Sequence, residues 1–189
     1  MKKFLVYVLI VVLAVVIAGL YGMIHNQISY TVSPEYFTKF KFGQFGLTDP
    51  RLPERVRASL VGFLASWWMG IPIGLLVGAF GFIHPDPRRM LRVSLWSLLV
   101  TVGFTLLFGL GGLLYGVVQT AHLNAAAYGA WYIPEEVTDL RRFLCAGYMH
   151  NSSNLGGVLA IGVAGAFHGL VRVRDIRRTP PRLRVKTGA

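Results

Sequence analysis

The sequence predicts an all-α membrane protein, a four-transmembrane-helix bundle with two outward loops that carry short interfacial helices. Three observations lead to this fold class. Four long runs contain no Asp, Glu, Lys or Arg, and the 189 residues are 54% hydrophobic but only 14% charged, against about a quarter charged in an average soluble domain. The third observation is that Lys and Arg concentrate on one side of those runs, as they do in membrane proteins.

The four apolar runs cover residues 4–24, 58–83, 93–118 and 150–171. About 20 helical residues, each rising 1.5 Å, cross a hydrocarbon core of ~30 Å, so each run is long enough to span. We therefore predict one transmembrane domain over residues 1–171. The remaining residues, 172–189, are predicted to form a disordered, basic cytoplasmic tail. The first run exceeds the ~7–15 apolar residues of a secretory signal peptide, which favours a retained anchor.

The distribution of basic residues predicts the orientation. Twelve of the nineteen Lys and Arg residues lie at the N-terminus, in the loop 84–92 or in the tail, while seven are spread over the two long loops 25–57 and 119–154. By the positive-inside rule both termini face the cytoplasm and both long loops face outward. The net charge of +11 then matches anionic lipid headgroups, and no recognition motif points to nucleic acid as a partner.

Small residues recur every fourth position in the second run, which places them on one helix face. They are Ala58, Gly62, Ser66, Gly70, Gly74 and Gly78. The third run has a similar series in Ser97, Thr101, Thr105, Gly109, Gly112 and Gly116. Such faces let helix backbones approach closely, within the bundle or against partner membrane subunits. Pro72 is expected to kink the second helix or to be accommodated by a neighbouring helix.

Each long loop is predicted to contain a short interfacial helix. Ser33, Pro34 and Glu35 supply a cap, a first-turn proline and a first-turn acid, which is a helix-start pattern. Residues 133–136 (Ile-Pro-Glu-Glu) have a similar pattern without the capping hydroxyl. Aromatic residues are frequent in both segments, as expected at a headgroup boundary.

Three histidines are predicted to share one depth at the outer boundary. At 1.5 Å per residue, His25, His122 and His150 each lie about 32–44 Å from the inner end of their helix. Imidazole and carboxylate together form the ligand set of iron, copper or zinc. We predict a metal site built from His25, Glu35, His122 and His150. Further ligands, orienting groups or polar pocket residues are predicted to be Asn26, Glu135, Glu136, Asp139 and Asn154.

No local spacing in the sequence specifies a metal, because His-x-x-x-His, Glu-x-x-His and Cys-x-x-Cys motifs are missing. An unmetallated polar site and structural capping therefore stay open as alternatives. Bis-histidine haem ranks behind a single ion. His84 and His168 fall at the inner helix ends, where they are expected to meet as interface residues, and Cys145 is expected to be a buried thiol without a partner.

Residues 25–42, HNQISYTVSPEYFTKFKF, resemble a segment of uncharacterised small bacterial multi-pass membrane proteins. The resemblance implies a bacterial inner membrane and carries over no activity.

The leading functional hypothesis is a metal-binding protein with its site at the outer leaflet, facing the periplasm, acting by redox or hydrolytic chemistry on a lipid-soluble substrate. The first alternative is a non-enzymatic subunit or assembly factor that binds partner helices through its glycine faces. The second is a small permease or channel, which the lack of charge within the four runs disfavours.

Overall fold

The computed structural model describes residues 2–178. All regular structure in this range is helical, and four helices are long and apolar enough to cross a membrane: α1 (Lys3–Val32), α2 (Glu54–Gly81), α3 (Pro87–Gln119) and α4 (Leu140–Arg178). The predicted all-helical fold with four spans is confirmed. The helices pack as two close pairs, α1 with α2 and α3 with α4.

Two of the helices extend well beyond their apolar runs. Helix α1 continues past residue 24 to Val32, and α4 begins at Leu140 rather than near residue 150. The polar residues in these extensions find partners on neighbouring helices: the Asn26 side-chain NH2 donates to the Ala58 carbonyl (3.0 Å) and that of Gln27 to the Ser59 hydroxyl (2.7 Å). Because these side chains are hydrogen-bonded, α1 continues through this polar sequence as a helix. His25 and His150 consequently lie inside helices, not at their ends.

The first loop turns back over the bundle through a short helix. Ser33 ends α1, and its hydroxyl accepts the Tyr36 N–H (3.2 Å). The chain then forms a π-helical turn, Tyr36–Lys41, followed by one α-helical turn, Phe42–Gln44. We call these two turns the first-loop helix. The Phe42 N–H donates to the Phe37 carbonyl five residues earlier, which is the π-helical bond.

The second loop differs from the prediction. Residues 133–136 form only a turn, closed by the Val137 N–H on the Pro134 carbonyl (3.2 Å), so the helix predicted there is wrong. A 3-10 turn instead covers Ala125–Tyr128, where the Asn124 side chain accepts the Ala126 N–H (3.1 Å). The capping side chain absent before Pro134 is present at Asn124, which explains the difference.

Helix α2 is irregular one turn before Pro72. Proline has no N–H for the carbonyl four residues earlier, and its ring crowds that carbonyl. The helix passes through a 3-10 turn at Trp67–Met69, which includes that carbonyl at Trp68, and then continues as Gly70–Gly81.

The small residues of α2 lie against α1. A Cβ added to Gly62 would stand 2.1 Å from the Gly22 carbonyl oxygen, and one added to Gly22 would stand 2.1 Å from that of Gly62. A Cβ added to Gly70 would lie 2.4 Å from the Val15 Cα and 2.5 Å from the Ala14 carbonyl oxygen. The two backbones therefore touch, as small-residue seams allow.

Helices α3 and α4 meet in the same way. A Cβ on Gly112 would lie 2.2 Å from the Ser152 hydroxyl, and a Cβ on Gly156 would lie 2.5 Å from the Phe108 Cβ. The predicted series of small and hydroxyl residues on α3 is buried along its whole length. Both seams are thus used for packing within the chain.

Helix α4 extends into the segment that was predicted to be a disordered tail. Residues 172–178 continue α4 as helix, and the Arg89 guanidinium on α3 binds the Asp175 carboxylate (2.7 Å), which anchors this extension. Residues 179–189, the rest of the predicted disordered tail, lie outside the described residues.

The glycine contact between α1 and α2 gives a stability prediction. Gly62→Ala should lower the thermal midpoint in detergent by roughly 4–10 °C, because the new methyl group meets a backbone carbonyl that cannot move aside. Gly103→Ala is the matched control: nothing lies within 4 Å of a Cβ at that helical position, so alanine's higher helix propensity should leave the midpoint unchanged or raised. An equal decrease in the thermal midpoint of both variants would show that Gly62 does not lie in a tight contact between α1 and α2.

Candidate functional site

A cavity of about 420 Å3 lies between α1, α2, α4 and the first-loop helix. Its volume falls within the ~300–1,000 Å3 of ordinary ligand pockets. Its polar wall is formed by Tyr21, His25, Asn26, Tyr36, Lys41, Ser66, His150, Asn151, Ser153 and Asn154. Its apolar wall is formed by Phe45, Val61, Ala65, Trp68, Met69 and Val158.

His25 and His150 meet in this cavity. Their ring centroids are 4.7 Å apart and the planes are nearly perpendicular, at 80°. The His150 ring is stacked on Tyr36 at 4.9 Å with an angle of 22°, and its Nε2 shares a hydrogen bond with the Ser29 hydroxyl (3.1 Å). His150 is therefore fixed by α1 on one side and by the first-loop helix on the other.

The surroundings of His25 define its tautomer. Because the Asn26 NH2 donates to the Ala58 carbonyl, the Asn26 Oδ1 is left to accept from His25 Nδ1 (3.4 Å). This bond places the proton of the neutral ring on Nδ1, so Nε2 presents a lone pair. His25 is only 4% exposed, and its Nε2 has no hydrogen-bond partner among the residues of the structure. The ring thus offers one unused acceptor.

The first-loop helix roofs the cavity. In a π-helix residues four and five positions apart share a face, and Tyr36 contacts both Phe40 (5.6 Å) and Lys41. The Lys41 ammonium lies 4.3 Å from the Phe40 ring centre and donates to the Gln44 side-chain oxygen (2.8 Å). Burial lowers the pKa of Lys41, because a low-dielectric environment disfavours the charged form.

A narrower, mainly apolar space of about 90 Å3 adjoins the cavity toward the middle of the bundle. The two spaces share six lining residues: Tyr21, Ala65, Ser66, Met69, Ser153 and Asn154. The Tyr21 hydroxyl shares a hydrogen bond with the Ser153 hydroxyl (2.5 Å) at this junction. Below it the lining includes Ile17, Ile73 and Leu98. The site is polar at one end and apolar at the other.

The structure brings together two of the four predicted metal ligands. Glu35 lies outside the cavity, where its carboxylate accepts from the Thr138 N–H (3.1 Å), the Asp139 N–H (2.8 Å) and the Thr138 hydroxyl. The Thr138 hydroxyl, followed by the Asp139 N–H, lowers the pKa of Glu35. His122 is exposed in the turn after α3. Within residues 2–178 no three His, Cys, Asp or Glu side chains are grouped to hold an ion.

Of the other predicted site residues, two line the cavity and three lie outside it. Asn26 and Asn154 line the cavity. Glu135 and Glu136 lie in the turn of the second loop, and Asp139 accepts the Arg142 N–H (3.0 Å) at the start of α4. These three carboxylates do not line the cavity. Glu35 and Asp139 act instead at the junction between the two loops.

Sequence reasoning did not place Tyr21, Tyr36 and Lys41 in the site. Tyr21 is an isolated polar group inside an apolar run, which is a signal that could have identified it. Tyr36 and Lys41 were assigned to an interfacial helix, and only the π-helical turn shows that they share a face over the cavity.

A second histidine pair lies at the opposite end of the bundle. His84 Nε2 and His168 Nδ1 are 3.0 Å apart, and both side chains are fully buried. The expected meeting of these residues is confirmed. The Lys3 ammonium donates to the His84 carbonyl (2.6 Å), so the loop after α2 is tied to α1 as well as α4. Cys145, expected to be buried, is buried and lies 3.6 Å from the Thr120 hydroxyl.

This pair predicts a pH-dependent stability. Burial lowers the pKa of His84, and Arg89, Arg172 and Lys3 lower it further while Asp175 opposes them. The unfolded chain, with a His pKa near 6.5, then binds the proton more readily than the folded one. Stability should be complete above about pH 6.5 and should fall as the pH decreases below it.

The measurement is the thermal midpoint in detergent at pH 7.5 and pH 5.5. The decrease at pH 5.5 should be smaller in His84→Gln, which cannot take up the proton, than in the wild type. His122→Gln is the control, because His122 is exposed and its loss should leave the decrease unchanged. An unaltered decrease in His84→Gln would contradict the assignment.

Comparison of the chain with protein-family models, with curated proteins and with solved structures gave no match.

Proposed function

We propose that this chain is a multi-pass protein of a bacterial inner membrane, with both termini in the cytoplasm. The basic residues support this orientation, because the twelve near the N-terminus, in the segment 84–92 and in the segment 172–189 outnumber the seven in the segments 25–57 and 119–154. In this orientation the His25 and His150 cavity belongs to the periplasmic half of the bundle, and the His84 and His168 pair to the cytoplasmic half.

Reporter fusions test the orientation. Fusions after Lys41 and after Glu136 should give periplasmic activity, and fusions after Arg89 should give cytoplasmic activity, because these positions lie in loops on opposite sides of the spans. A fusion after Arg89 that reports the periplasm would reverse the orientation.

The proposed function is the binding of a lipid-soluble molecule that has a polar head. The observation that carries it is a 420 Å3 cavity with polar side chains from α1, α4 and the first-loop helix, which adjoins a narrower, mainly apolar space. Two of its polar lining residues, Asn151 and Asn154, are exposed, and their amides can hydrogen-bond to a ligand. The polar end fits a head group, and the apolar end fits a hydrocarbon chain.

The membrane setting strengthens this argument. Polar side chains within a span generally face a wet cavity, a substrate or one another, because exposure to hydrocarbon is costly. Here α1 and α4 both carry polar residues to the same cavity. Ser29 and His150 satisfy one another, as do Tyr21 and Ser153. The side-chain amides of Asn151 and Asn154, which line the cavity and are exposed, are available to a ligand.

Filling the cavity tests the function. Ala65 lines both the wide and the narrow part, so Ala65→Trp should occupy the space and prevent binding. Ala79→Trp is the matched control on the same helix, because Ala79 is exposed on its outer face. Organic extracts of protein purified in mild detergent would be analysed by mass spectrometry for molecules retained at near-equimolar amounts.

We expect a retained amphiphile in the wild type and in Ala79→Trp and its loss in Ala65→Trp, provided the thermal midpoints are similar. Identical extracts from the two Trp variants would reject the cavity as a binding site.

A transition-metal site is the second candidate. The observation that favours it is the close approach of the two imidazole rings, whose centres are 4.7 Å apart, since neutral imidazole nitrogen is a ligand for iron, copper and zinc. These two residues would need further ligands from water or substrate. Wild-type protein incubated with each ion and desalted should then retain one equivalent, and His25→Ala should retain none; a metal-free wild type would reject it.

The role as a subunit or assembly factor would require a different surface from the one predicted. Gly62, Gly70, Gly74 and Gly78 of α2 are occupied by α1, while Gly103 and Gly111 of α3 and Gly162 and Gly169 of α4 have nothing within 4 Å of a Cβ. A partner helix would therefore dock on the outer face of α3 or of α4. The lack of charged side chains in the walls, Lys41 apart, gives no support to an ion channel.

A further inference from the structure

A second space adjoins the cavity on the side of the second loop. This cleft of about 320 Å3 lies between the first-loop helix, the first turns of α4 and the second loop, which supplies Ala130, Trp131 and Tyr132. We call it the second-loop cleft. Three residues line both the cleft and the cavity: Tyr36, Lys41 and Asn151. The two spaces therefore meet at the side chains of these three residues.

One face of α4 runs through both spaces. Phe143, Gly147 and Asn151 line the cleft, and Asn151, Asn154 and Val158 line the cavity. Residues three or four apart lie on one face of a helix. These five residues therefore form a continuous wall, about 22 Å long at 1.5 Å per residue. The wall begins in the first turn of α4, next to the second loop, and ends halfway along the helix.

Two of the side chains at the meeting point are not bonded to the opposite wall. Lys41 donates to Gln44, which belongs to the same first-loop helix. Asn151 is exposed, and its side chain has no hydrogen bond or ion pair with another residue in the range 2–178. Exposed side chains change rotamer within picoseconds to nanoseconds. Rotation of Lys41 and Asn151 therefore joins the two spaces.

The cleft opens to water at the outer end of the bundle. Ala130 and Tyr132 of its wall are exposed, Tyr132 by 72%. Both belong to the second loop, which connects α3 and α4 outside the four spans. A molecule in the cleft is therefore in reach of the outer aqueous phase.

The cavity opens to the hydrocarbon region between α2 and α4. Helix α2 packs against α4 along Gly70–Gly81, and the described residues show no comparable packing along Glu54–Ser66. Trp68 and Val158 line the cavity beside this gap, and both are exposed. Val158 lies about 27 Å from Leu140 at 1.5 Å per residue, which is within the span. The joined space thus has one opening to water and one to lipid.

Lys41 limits what can move between the two openings. Among the described lining residues of the cavity and the cleft it is the one charged side chain, and it lies where the two spaces meet. A positively charged head group would meet a like charge there, in a site of low dielectric constant. Acceptor oxygens, by contrast, find the Lys41 ammonium and the amides of Asn151 and Asn154. The walls therefore favour a head group with acceptor oxygens and no net positive charge.

We infer that the cavity and the second-loop cleft form a passage through which an amphiphile without net positive charge moves between the outer leaflet and the periplasm. The inference rests on the proposed binding function and adds transfer to it. The hydrocarbon chain enters between α2 and α4, past Trp68 and Val158. The head group moves along the α4 wall, past Lys41 and Asn151, to the second loop.

Thiol labelling in spheroplasts tests whether periplasmic water reaches the cavity. Ala65 lines the cavity but not the cleft, so Ala65→Cys should react with the membrane-impermeant anion sulfonatoethyl methanethiosulfonate. Leu64→Cys is the matched control at the same depth, because Leu64 is exposed outside the cavity. A thiol in hydrocarbon does not ionise, so Ala65→Cys should react at least about tenfold faster. The wild type gives the background rate, since Cys145 is buried.

Blocking the cleft identifies the route of the reagent. Ala130→Trp, combined with Ala65→Cys, should slow the labelling severalfold, because Ala130 lines only the cleft. Ala127→Trp should not slow it, because Ala127 is exposed in the same loop and does not line the cleft. An unreactive Ala65→Cys, or labelling that Ala130→Trp leaves unchanged, would overturn the passage.

The charge of the reagent tests the role of Lys41. The trimethylammonium analogue should label Ala65→Cys about fivefold more slowly than the sulfonate, after both rates are divided by those at the exposed position Ala127→Cys. Lys41→Met should remove this preference. Lys39→Met is the control for charge, because Lys39 is exposed and lines neither space. Equal rates for the two reagents in the parent variant would overturn the selection against cations.

Transfer itself is measured from proteoliposomes to protein-free acceptor liposomes. Dioleoylphosphatidylglycerol should move severalfold faster than from donor liposomes without protein, whereas a lipid with the same chains and a trimethylammonium head should not. Ala65→Trp and Ala130→Trp should both abolish the acceleration. Only Ala65→Trp should also remove the amphiphile from organic extracts, because Ala130→Trp leaves the cavity intact.

The outcomes distinguish the two proposals. If the wild type retains an amphiphile but transfers lipid no faster than protein-free liposomes, the binding function stands and the passage is wrong. If Ala65→Trp retains the same amphiphile as the wild type, the proposed function itself fails. Transfer that is lost in Ala65→Trp and unchanged in Ala130→Trp would show that the ligand leaves by another route, and would overturn the cleft as an opening.

Discussion

Polar side chains inside the spans must find partners within the chain, and this constraint determines where α1 and α4 meet. Hydrocarbon offers no hydrogen bonds, so the hydroxyl and imidazole groups in the two helices would be costly if they were separated. Ser29 with His150, and Tyr21 with Ser153, satisfy one another across the interface. The same contacts allow both helices to continue through polar sequence. The cavity is the part of this interface where the pairing is incomplete.

The glycine seams explain why the space exists. Backbone contact at Gly22 and Gly62 holds α2 against α1, and backbone and small-residue contact at Gly112 and Gly156 holds α4 against α3. Two tight pairs cannot also close fully on each other where the larger side chains of Tyr21, His25 and His150 project between them. Protein interiors are normally packed without large voids, because unfilled space loses dispersion contacts. The helix pairs themselves are tightly packed, so the cavity between them is the exception in this bundle.

The sequence predicted the spans and the seams because both follow from properties of single helices. Length, apolar character and four-residue spacing need no knowledge of neighbours. The ends of α1 and α4 were predicted too close to the apolar runs, since their polar extensions depend on partners such as Ala58 and Ser59 that lie far along the chain. The convergence of His25 and His150 was predicted from helix rise. Glu35 was expected beside them, but the free N–H groups at Thr138 and Asp139 bind its carboxylate instead. Helix rise gives depth in the membrane and says nothing about the direction in which a side chain points.

The two histidines of the cavity are chemically different, and the difference follows from the first-loop helix. An α-helical turn would separate residues 36 and 41 by about 140° around the axis, whereas the wider π-helical turn brings them to one face. Tyr36 then covers the His150 ring while Lys41 extends beside it over the same space. His150, stacked and bonded to Ser29, is held in place as part of the wall. His25 bonds to Asn26 through Nδ1, while its Nε2 is fully buried without a hydrogen-bond partner, 3.4 Å from the position that a Cβ on Gly109 of α3 would take. A substitution at His150 should therefore disturb the wall that the first-loop helix covers, whereas one at His25 should disturb the packing of α1 against α3.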